Sequence, residues 1–328
     1  MRWPWCPGGC RALTALLALP WVASASAWAA PFAYITNQGS HDVSVIDLAE
    51  QKVVATVPVG RSPAGVVAVS RTGRVFVSNP DSKTISVIDM RQQKLVDTWP
   101  AGSGPVGIDA SPDGRHLYVA DWYRHRLMVL DTERRGAEPV EIAVGQAPAG
   151  VAVASDGRSV FVAERDDDSV ALVDVPERRV KARVKVGSHP FALLLDEPHQ
   201  RLFALNVQSD SVSVVDTRSM TVVVTIPVGR APYGAALTQD GTLLYVTNQH
   251  ADSVSVIDAR TLTVQRTLSG FGYPEGVASH GDRVYVVNWM DDDVSVLDAA
   301  TGRSLRRIAT GVNSRGFGAF IGAPPALP

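Results

Sequence analysis

Cysteine is nearly missing from this sequence of 328 residues, and its two cysteines, Cys6 and Cys10, both lie within the first ten positions. The rest of the sequence therefore contains no thiol. This absence excludes disulfides, zinc ligation by cysteine, thiolate catalysis and covalent Cys-x-x-Cys-His haem attachment from everything after residue 10.

Long hydrophobic runs are missing as well. The apolar stretch at residues 12–23 is shorter than the roughly 20 residues that a membrane-spanning helix needs. It follows Arg2 and Arg11 and precedes small residues that end in Ala29 and Ala30, which is the order of a secretory signal peptide. We expect residues 1–30 to be a cleaved leader and the protein to be periplasmic or secreted, with no membrane span.

Basic charge is not in excess. The chain has 31 Lys and Arg against 33 Asp and Glu, a formal net charge of −2, which disfavours a nucleic-acid partner. The Gly-x-Ser-x-Gly elbow, the His-Glu-x-x-His zinc motif and a phosphate-binding loop are also absent from the sequence. We expect no resident metal or cofactor, and these absences favour a protein that is not an enzyme.

What the sequence does contain is a repeat. A strand-like run closes on a hydrophobic residue and an aspartate at intervals of 40 to 43 residues. A period of this size is typical of repeat arrays and β-propellers. The closing aspartates are Asp47, Asp89, Asp131, Asp174, Asp216, Asp258 and Asp298.

Each repeat contains four strand-like segments, as residues 62–99 illustrate. Runs of about five residues, rich in Val, Ile and aromatic side chains, are separated by Gly, Pro, Asp and Asn, which is typical of an all-β meander. Four strands per repeat match one propeller blade. The sequence therefore predicts an all-β, seven-bladed β-propeller with four antiparallel strands per blade.

The two ends of the repeat array predict how the ring closes. The array starts on a second-strand pattern, residues 32–37, and ends on a first-strand pattern, residues 316–321. A C-terminal strand that joins the N-terminal blade would close the ring and remove two exposed sheet edges. We expect one domain over residues 31–322, followed by a short tail, residues 323–328.

Recurring residues inside the repeat have mechanical explanations. A Pro-x-Gly pair in the first strands lets backbones approach near the axis, because glycine has no Cβ. The closing aspartates are expected to cap the turns that follow them. The second strands carry one aromatic ring each, which we expect in the core between blades. These rings are Tyr34, Phe76, Tyr118, Phe161, Phe203, Tyr245 and Tyr285.

The tetrapeptides at residues 34–37 (Tyr-Ile-Thr-Asn) and 245–248 (Tyr-Val-Thr-Asn) resemble the YVTN β-propeller repeat family. The resemblance extends over roughly residues 32 to 322 and includes the recurring Val-Ser-Val-Ile-Asp strand. The secreted, seven-unit form is similar to the YncE-like branch. The resemblance implies a seven-bladed propeller and leaves the activity open, since propellers act as binders, scaffolds and enzymes.

Strand order places two sets of loops on one face of the predicted propeller, those before the first strands and those after the second strands. Binding residues usually lie on such loops, and arginine with aromatic rings suits an anionic, partly apolar ligand. Arg61 and Arg230 precede equivalent strands in distant blades, so we expect them to lie on opposite sides of a central funnel. The predicted binding residues are Arg61, Trp122, His189, Arg230, Tyr233, Glu275, Trp289 and Arg315.

Two acidic runs of three aspartates, residues 166–168 and 291–293, follow second strands in different blades. Clustered carboxylates favour calcium, but three adjacent aspartates point in different directions. Calcium binding at these loops stays open at the level of sequence. The predicted set of metal ligands is empty.

These features favour an exported, non-enzymatic binding or scaffold propeller, which we expect to be a monomer. Its partner would be an unknown protein, a peptide or an anionic small molecule. One alternative is an enzyme or enzyme accessory, such as a lactonase-like, metal-dependent hydrolase or a propeller partner of a quinoprotein dehydrogenase. The other is single-stranded nucleic-acid binding by arginines interleaved with aromatic rings, which the negative net charge disfavours.

Overall fold

The computed structural model describes residues 1–2, 31–134 and 136–326. The predicted leader therefore lies outside the described residues apart from its first two positions, as do the last two residues of the predicted tail. Within the described residues the chain forms seven four-stranded antiparallel sheets. The predicted all-β, seven-bladed propeller is confirmed.

The strands follow one another blade by blade in chain order. Blades 1 to 3 contain β1 (Phe32–Asn37), β2 (Asp42–Asp47), β3 (Lys52–Pro58); β4 (Val66–Val69), β5 (Arg74–Asn79), β6 (Thr84–Asp89), β7 (Lys94–Pro100); β8 (Pro105–Ala110), β9 (His116–Asp121), β10 (Arg126–Asp131) and β11 (Val140–Ala143). Blades 4 and 5 contain β12 (Pro148–Val153), β13 (Ser159–Glu164), β14 (Ser169–Asp174), β15 (Arg179–Lys185); β16 (Pro190–Asp196), β17 (Arg201–Asn206), β18 (Ser211–Asp216) and β19 (Thr221–Pro227). Blades 6 and 7 contain β20 (Pro232–Leu237), β21 (Leu243–Asn248), β22 (Ser253–Asp258), β23 (Thr263–Ser269); β24 (Pro274–His280), β25 (Arg283–Asn288), β26 (Asp293–Asp298) and β27 (Ser304–Ala309), and β28 (Ile321–Gly322) returns to blade 1.

Short 3₁₀ helices lie in three of the connections, at Arg165–Asp167, Glu197–His199 and Gln249–Ala251. No helix in the described ranges is long and apolar enough to cross a membrane.

The second-strand aromatic rings form the core between blades, as predicted. All seven are at most 4% exposed. Burial of one such side chain stabilises the fold by roughly 1.5–3 kcal/mol, so these rings are a major part of the cohesion between neighbouring blades.

The threonine of the Tyr-x-Thr-Asn sequence joins neighbouring blades by a hydrogen bond. Thr36 Oγ1 donates to the carbonyl of Ala64 (3.1 Å), and Thr247 Oγ1 donates to the carbonyl of Glu275 (2.6 Å). Ser78 makes the equivalent bond in blade 2. The hydroxyl at this position is therefore part of the contact between blades.

The closing aspartates cap the turns after the third strands, as the sequence predicted. Asp258 is typical, because its Oδ1 accepts the backbone N–H groups of Arg260 (2.9 Å) and Thr261 (2.7 Å). The other six make one or two bonds of the same kind. Their recurrence reflects turn geometry rather than chemistry.

The C-terminal segment completes blade 1. β28 pairs with β1 in antiparallel register, and Tyr34 N donates to the carbonyl of Phe320 (2.9 Å). On its other side the segment accepts N–H groups from β4, with Val66 N donating to Phe317 O and Ala68 N to Ala319 O (both 2.8 Å). The segment thus bonds blades 1 and 2 at once and closes the ring.

Candidate binding face and axial plug

The loops before the first strands and after the second strands form what we call the upper face. In most blades the residue before the first strand has a positive φ, such as Ala231 (52°) and Tyr273 (54°). Its carbonyl accepts the N–H of the residue that follows the second strand, as from Trp289 to Tyr273 (3.2 Å). These bonds tie the two loop sets together, so the face is built on fixed backbone.

A buried ion pair lies at the axis of the upper face. Arg315 Nε donates to Glu275 Oε2 (2.7 Å), and Gln249 Nε2 donates to Glu275 Oε1 (2.7 Å). Arg315 Nη2 also donates to the hydroxyl of Tyr233. The side chain of Glu275 is 3% exposed and that of Arg315 17% exposed. These groups satisfy one another beneath the surface.

Electrostatic interactions keep the guanidinium of Arg315 charged in this buried pair. Burial disfavours the charged guanidinium of Arg315, but the neighbouring Glu275 and Tyr233 outweigh that cost and raise its pKa. Burial also raises the pKa of Tyr233 well above its ordinary value, so the phenol stays neutral. The arrangement is that of a structural charge pair with satisfied hydrogen bonds.

Aromatic rings fill the remaining space at the axis. Phe191 stacks against Tyr233 (ring centroids 4.6 Å apart) and Phe317 (4.9 Å). Trp122 lies 6.3 Å from Phe191, and the Arg165 guanidinium lies over the Trp122 ring at 5.4 Å. We call Phe191, Tyr233, Glu275, Arg315 and Phe317 the axial plug. Three predicted binding residues thus lie in the plug, with Trp122 above it.

The two arginines expected across the funnel each bond to their own blade. Arg61 Nη2 donates to the carbonyl of Asp81 (3.2 Å), and Arg230 Nη2 donates to the carbonyl of His250 (2.6 Å). Both arginines are exposed. Each guanidinium therefore retains donors for a ligand on the surface.

The acidic runs are joined to the neighbouring loops. Asp168 Oδ1 accepts the N–H of His189 in the next blade (2.8 Å), and Asp292 Oδ1 accepts that of Asn313 (2.6 Å). His189, a predicted binding residue, is half-buried beside Asp166 and Asp168. In the described part of the chain no group of three or more His, Cys, Asp or Glu side chains is arranged to hold a metal ion.

A row of rings runs along the upper face of blades 6 and 7. His250 and Tyr273 are hydrogen-bonded at 2.9 Å and stack at 5.4 Å between ring centroids. Tyr273 stacks on Trp289 at 5.4 Å, and Trp289 Nε1 reaches Gln38 Oε1 in blade 1 at 3.3 Å. Because Arg230 bonds to the His250 carbonyl, this row begins beside an arginine.

Exposed apolar side chains border the same row. Met290, 65% exposed, follows Trp289 directly, and Val312, 50% exposed, bonds through its carbonyl to the N–H of Gly39 (2.9 Å). We call Tyr273, Trp289, Met290 and Val312 the apolar patch. The predicted binding set included only Trp289 of these four. Tyr273 could have been found from the sequence, because it places a bulky side chain at a left-handed backbone position where blades 4 and 6 have alanine.

Solved structures with the same architecture include hydrazine synthase from Kuenenia stuttgartiensis, with a TM-score of 0.74 at 21% identity over 81% of this chain and 92% of that chain. Dihydro-heme d1 dehydrogenase NirN in complex with DHE has a TM-score of 0.67 at 15% identity, over 87% of this chain and 74% of that chain. A functionally unknown protein from Desulfotomaculum acetoxidans DSM 771 has a TM-score of 0.74 at 14% identity, over 90% and 99% of the two chains. At these identities the likeness shows the fold alone.

No curated protein sequence matches the chain. A family described as YNCE-like beta-propeller matches residues 67–155 and 196–282, which together make up more than half of the sequence. The chain belongs to the YNCE-like beta-propeller family.

Proposed function

We propose that this protein is an exported, non-enzymatic binding propeller whose upper face holds an acidic, partly apolar peptide segment of a partner protein. The observation that carries the proposal is where exposed apolar side chains lie. Apart from Met1, the large apolar side chains that are strongly exposed in the described loops are Tyr123, Met290 and Val312. All three belong to the upper face. Met290 and Val312 border the stacked rings of Tyr273 and Trp289, and exposed apolar surface grouped in this way marks interaction sites.

The charged groups around the patch suit an acidic ligand. Around the ring, Arg230 of blade 6 precedes the apolar patch, and Arg61 of blade 2 follows it. The aspartate beside Met290 is ion-paired, because Asp291 Oδ2 accepts a hydrogen bond from Arg307 Nη2 (2.8 Å), and Arg307 also pairs with Asp293 (3.3 Å). A peptide along this arc would place apolar side chains on the patch and carboxylates at the two arginines.

The hydrogen bonds and burial of Glu275, the carboxylate at the axis, agree with a binding role. Glu275 accepts hydrogen bonds from Arg315 and Gln249 and is almost inaccessible, so it is poorly placed to act as a general acid or base. Hydrazine synthase and dihydro-heme d1 dehydrogenase are enzymes, but their likeness to this chain extends to the fold alone. The proposal therefore rests on the residues of the upper face.

Selection from a library of random short peptides on the immobilised protein tests this proposal. We expect the selected peptides to be enriched in Asp or Glu together with Leu, Phe or Trp. We expect their binding to weaken with Met290→Ser, while Val223→Ser, which removes a similarly exposed apolar side chain from an outer strand, leaves it unchanged. Peptides without acidic residues, or peptides equally sensitive to both variants, would contradict the proposal. A steep salt dependence with single-stranded DNA would instead support the nucleic-acid alternative.

A further inference from the structure

A cavity of about 450 Å³ lies on the propeller axis. The first strands of blades 3 to 7 and the C-terminal segment line it. Phe317 belongs both to this lining and to the axial plug, so the plug forms one end of the cavity. Gly318 and Ala319 in the lining are exposed, which connects the cavity to solvent. Its volume is within the range of roughly 300–1,000 Å³ that small-molecule sites occupy.

Asp109 is the ionisable residue in this lining, whose other members are Gly, Ala, Val, Leu, Ile, Phe and one Ser. The repeat shows that the fold does not require a carboxylate there. The equivalent residues of the other blades, which lie opposite the second-strand rings, are Val67, Ala152, Leu194, Ala236, Ala278 and Phe320. One carboxylate inside a cavity, at a repeat position that is apolar in the other blades, is the pattern expected of a residue that binds a ligand.

The contacts of Asp109 leave its charge without a counter-ion. Oδ1 accepts the N–H of Ala110 (2.8 Å) and Oδ2 accepts that of Val153 (2.9 Å). No Lys, Arg or His within the described ranges forms an ion pair with it. Burial accordingly raises the pKa of Asp109 to about 6, although the two N–H donors act in the opposite direction. Each oxygen has a second lone pair available to a donor.

We propose that the axial cavity binds a small organic ammonium ion, with Asp109 as its counter-ion and the apolar lining around its hydrocarbon part. A hard metal cation would need several oxygen ligands, and only one carboxylate is present in the lining. An anion would meet Asp109 with like charge. This site is separate from the upper face, and the inference does not depend on the proposed peptide binding.

Calorimetric titration of the full-length protein with benzylamine at pH 7.5 tests the inference, with benzyl alcohol as the uncharged comparison. We expect benzylamine to bind at least about tenfold more tightly than the alcohol. Asp109→Asn removes the charge, keeps an acceptor for one of the two N–H groups, and should abolish this difference. Asp113→Asn, in the exposed turn after the same strand, is the matched control and should preserve it.

A second variant guards against misfolding of the first. Ala278→Leu places in blade 7 the side chain that blade 5 carries at the equivalent Leu194, and it should block the cavity while Asp109 remains. We expect benzylamine binding to be lost. Unchanged binding in either Asp109→Asn or Ala278→Leu, equal affinity for alcohol and amine, or no binding to the unaltered protein would overturn the inference.

The pH dependence gives an independent readout. Tyr118, the cross-strand neighbour of Asp109, has a pKa raised to about 12 by burial and stays neutral throughout the range. The other lining residues do not titrate. Benzylamine affinity should therefore fall about tenfold for each pH unit below about 6, as Asp109 becomes protonated. The same fall in Asp109→Asn would contradict this assignment.

Discussion

Single hydroxyl groups join the blades at the scale of the residue. Thr247 Oγ1 donates to the carbonyl of Glu275 and accepts the N–H of Gly234 at 2.8 Å, all within the buried core. Thr247→Val keeps the shape of the side chain but leaves both groups without this partner. We expect a loss of about 1–3 kcal/mol in the free energy of unfolding, measured by urea denaturation. Thr267→Val, on an exposed strand of the same blade, should change it little; equal losses would show that the bond between blades is unimportant.

The plug makes a second prediction at this scale. Glu275→Ala leaves the guanidinium of Arg315 buried without its counter-ion, and should cost about 3–5 kcal/mol. The double variant Glu275→Leu with Arg315→Met removes both charges and should recover much of this loss. Thermal and urea denaturation of the unaltered protein, Glu275→Ala and the double variant measure these differences in stability. Full stability of Glu275→Ala would mean that the pair is not held as described.

At the scale of the element, the C-terminal segment is the connection on which the ring depends. Deletion of residues 314–328 removes Phe317, Ala319 and Phe320, whose carbonyls accept N–H groups from blades 1 and 2. We expect a large fall in melting temperature and a loss of cooperativity, because the edges of β1 and β4 that the segment covers become exposed. Deletion of residues 324–328 keeps these bonds and is the control. An unchanged melting temperature in the longer deletion would contradict the closure.

The capped turns predict how stability responds to acid. Hydrogen bonds from backbone N–H groups, that of Thr261 foremost, lower the pKa of Asp258 in the folded protein. A lowered pKa means that its contribution is present above the unfolded pKa of about 3.9 and is lost as the pH falls through the folded value. The melting temperature should therefore decrease as the pH is lowered below about 4. Asp258→Asn keeps the acceptor and should reduce this fall, whereas Asp282→Asn, outside these turns, should not.

At the scale of the whole molecule, the sequence predicted the architecture because propeller structure is periodic. Each aspartate cap and each second-strand ring repeats in step, so the residues that build one blade build all of them. The site was less predictable, because it depends on which of the residues that differ between blades come close together in the folded chain. Arg315 is distant in sequence from Glu275 and Tyr233, and only the closed ring brings their side chains into one buried network.

The acidic runs illustrate the same limit in a single loop. Asp168 and Asp292 suggested a metal site as parts of a charge cluster, yet each accepts a backbone N–H from the next blade. The same bond joins Asp210 to Ala231 (2.9 Å) and Asp252 to Tyr273 (3.0 Å), so this role belongs to one repeated position and not to the acidic runs as clusters. Tyr273 likewise acquires significance only beside His250 and Trp289.

The affinity of a selected acidic peptide for paired arginine variants tests the central claim most directly. Arg61→Ala and Arg230→Ala alter the upper face, and Arg115→Ala and Arg158→Ala alter exposed turns of the opposite face. A desolvated contact between arginine and a carboxylate is worth about 2–5 kcal/mol, whereas an exposed arginine at a rim contributes little. We predict that the upper-face variants weaken binding at least about tenfold, while the opposite-face variants leave it unchanged. Equal weakening by both pairs would show that the upper face is not the binding surface.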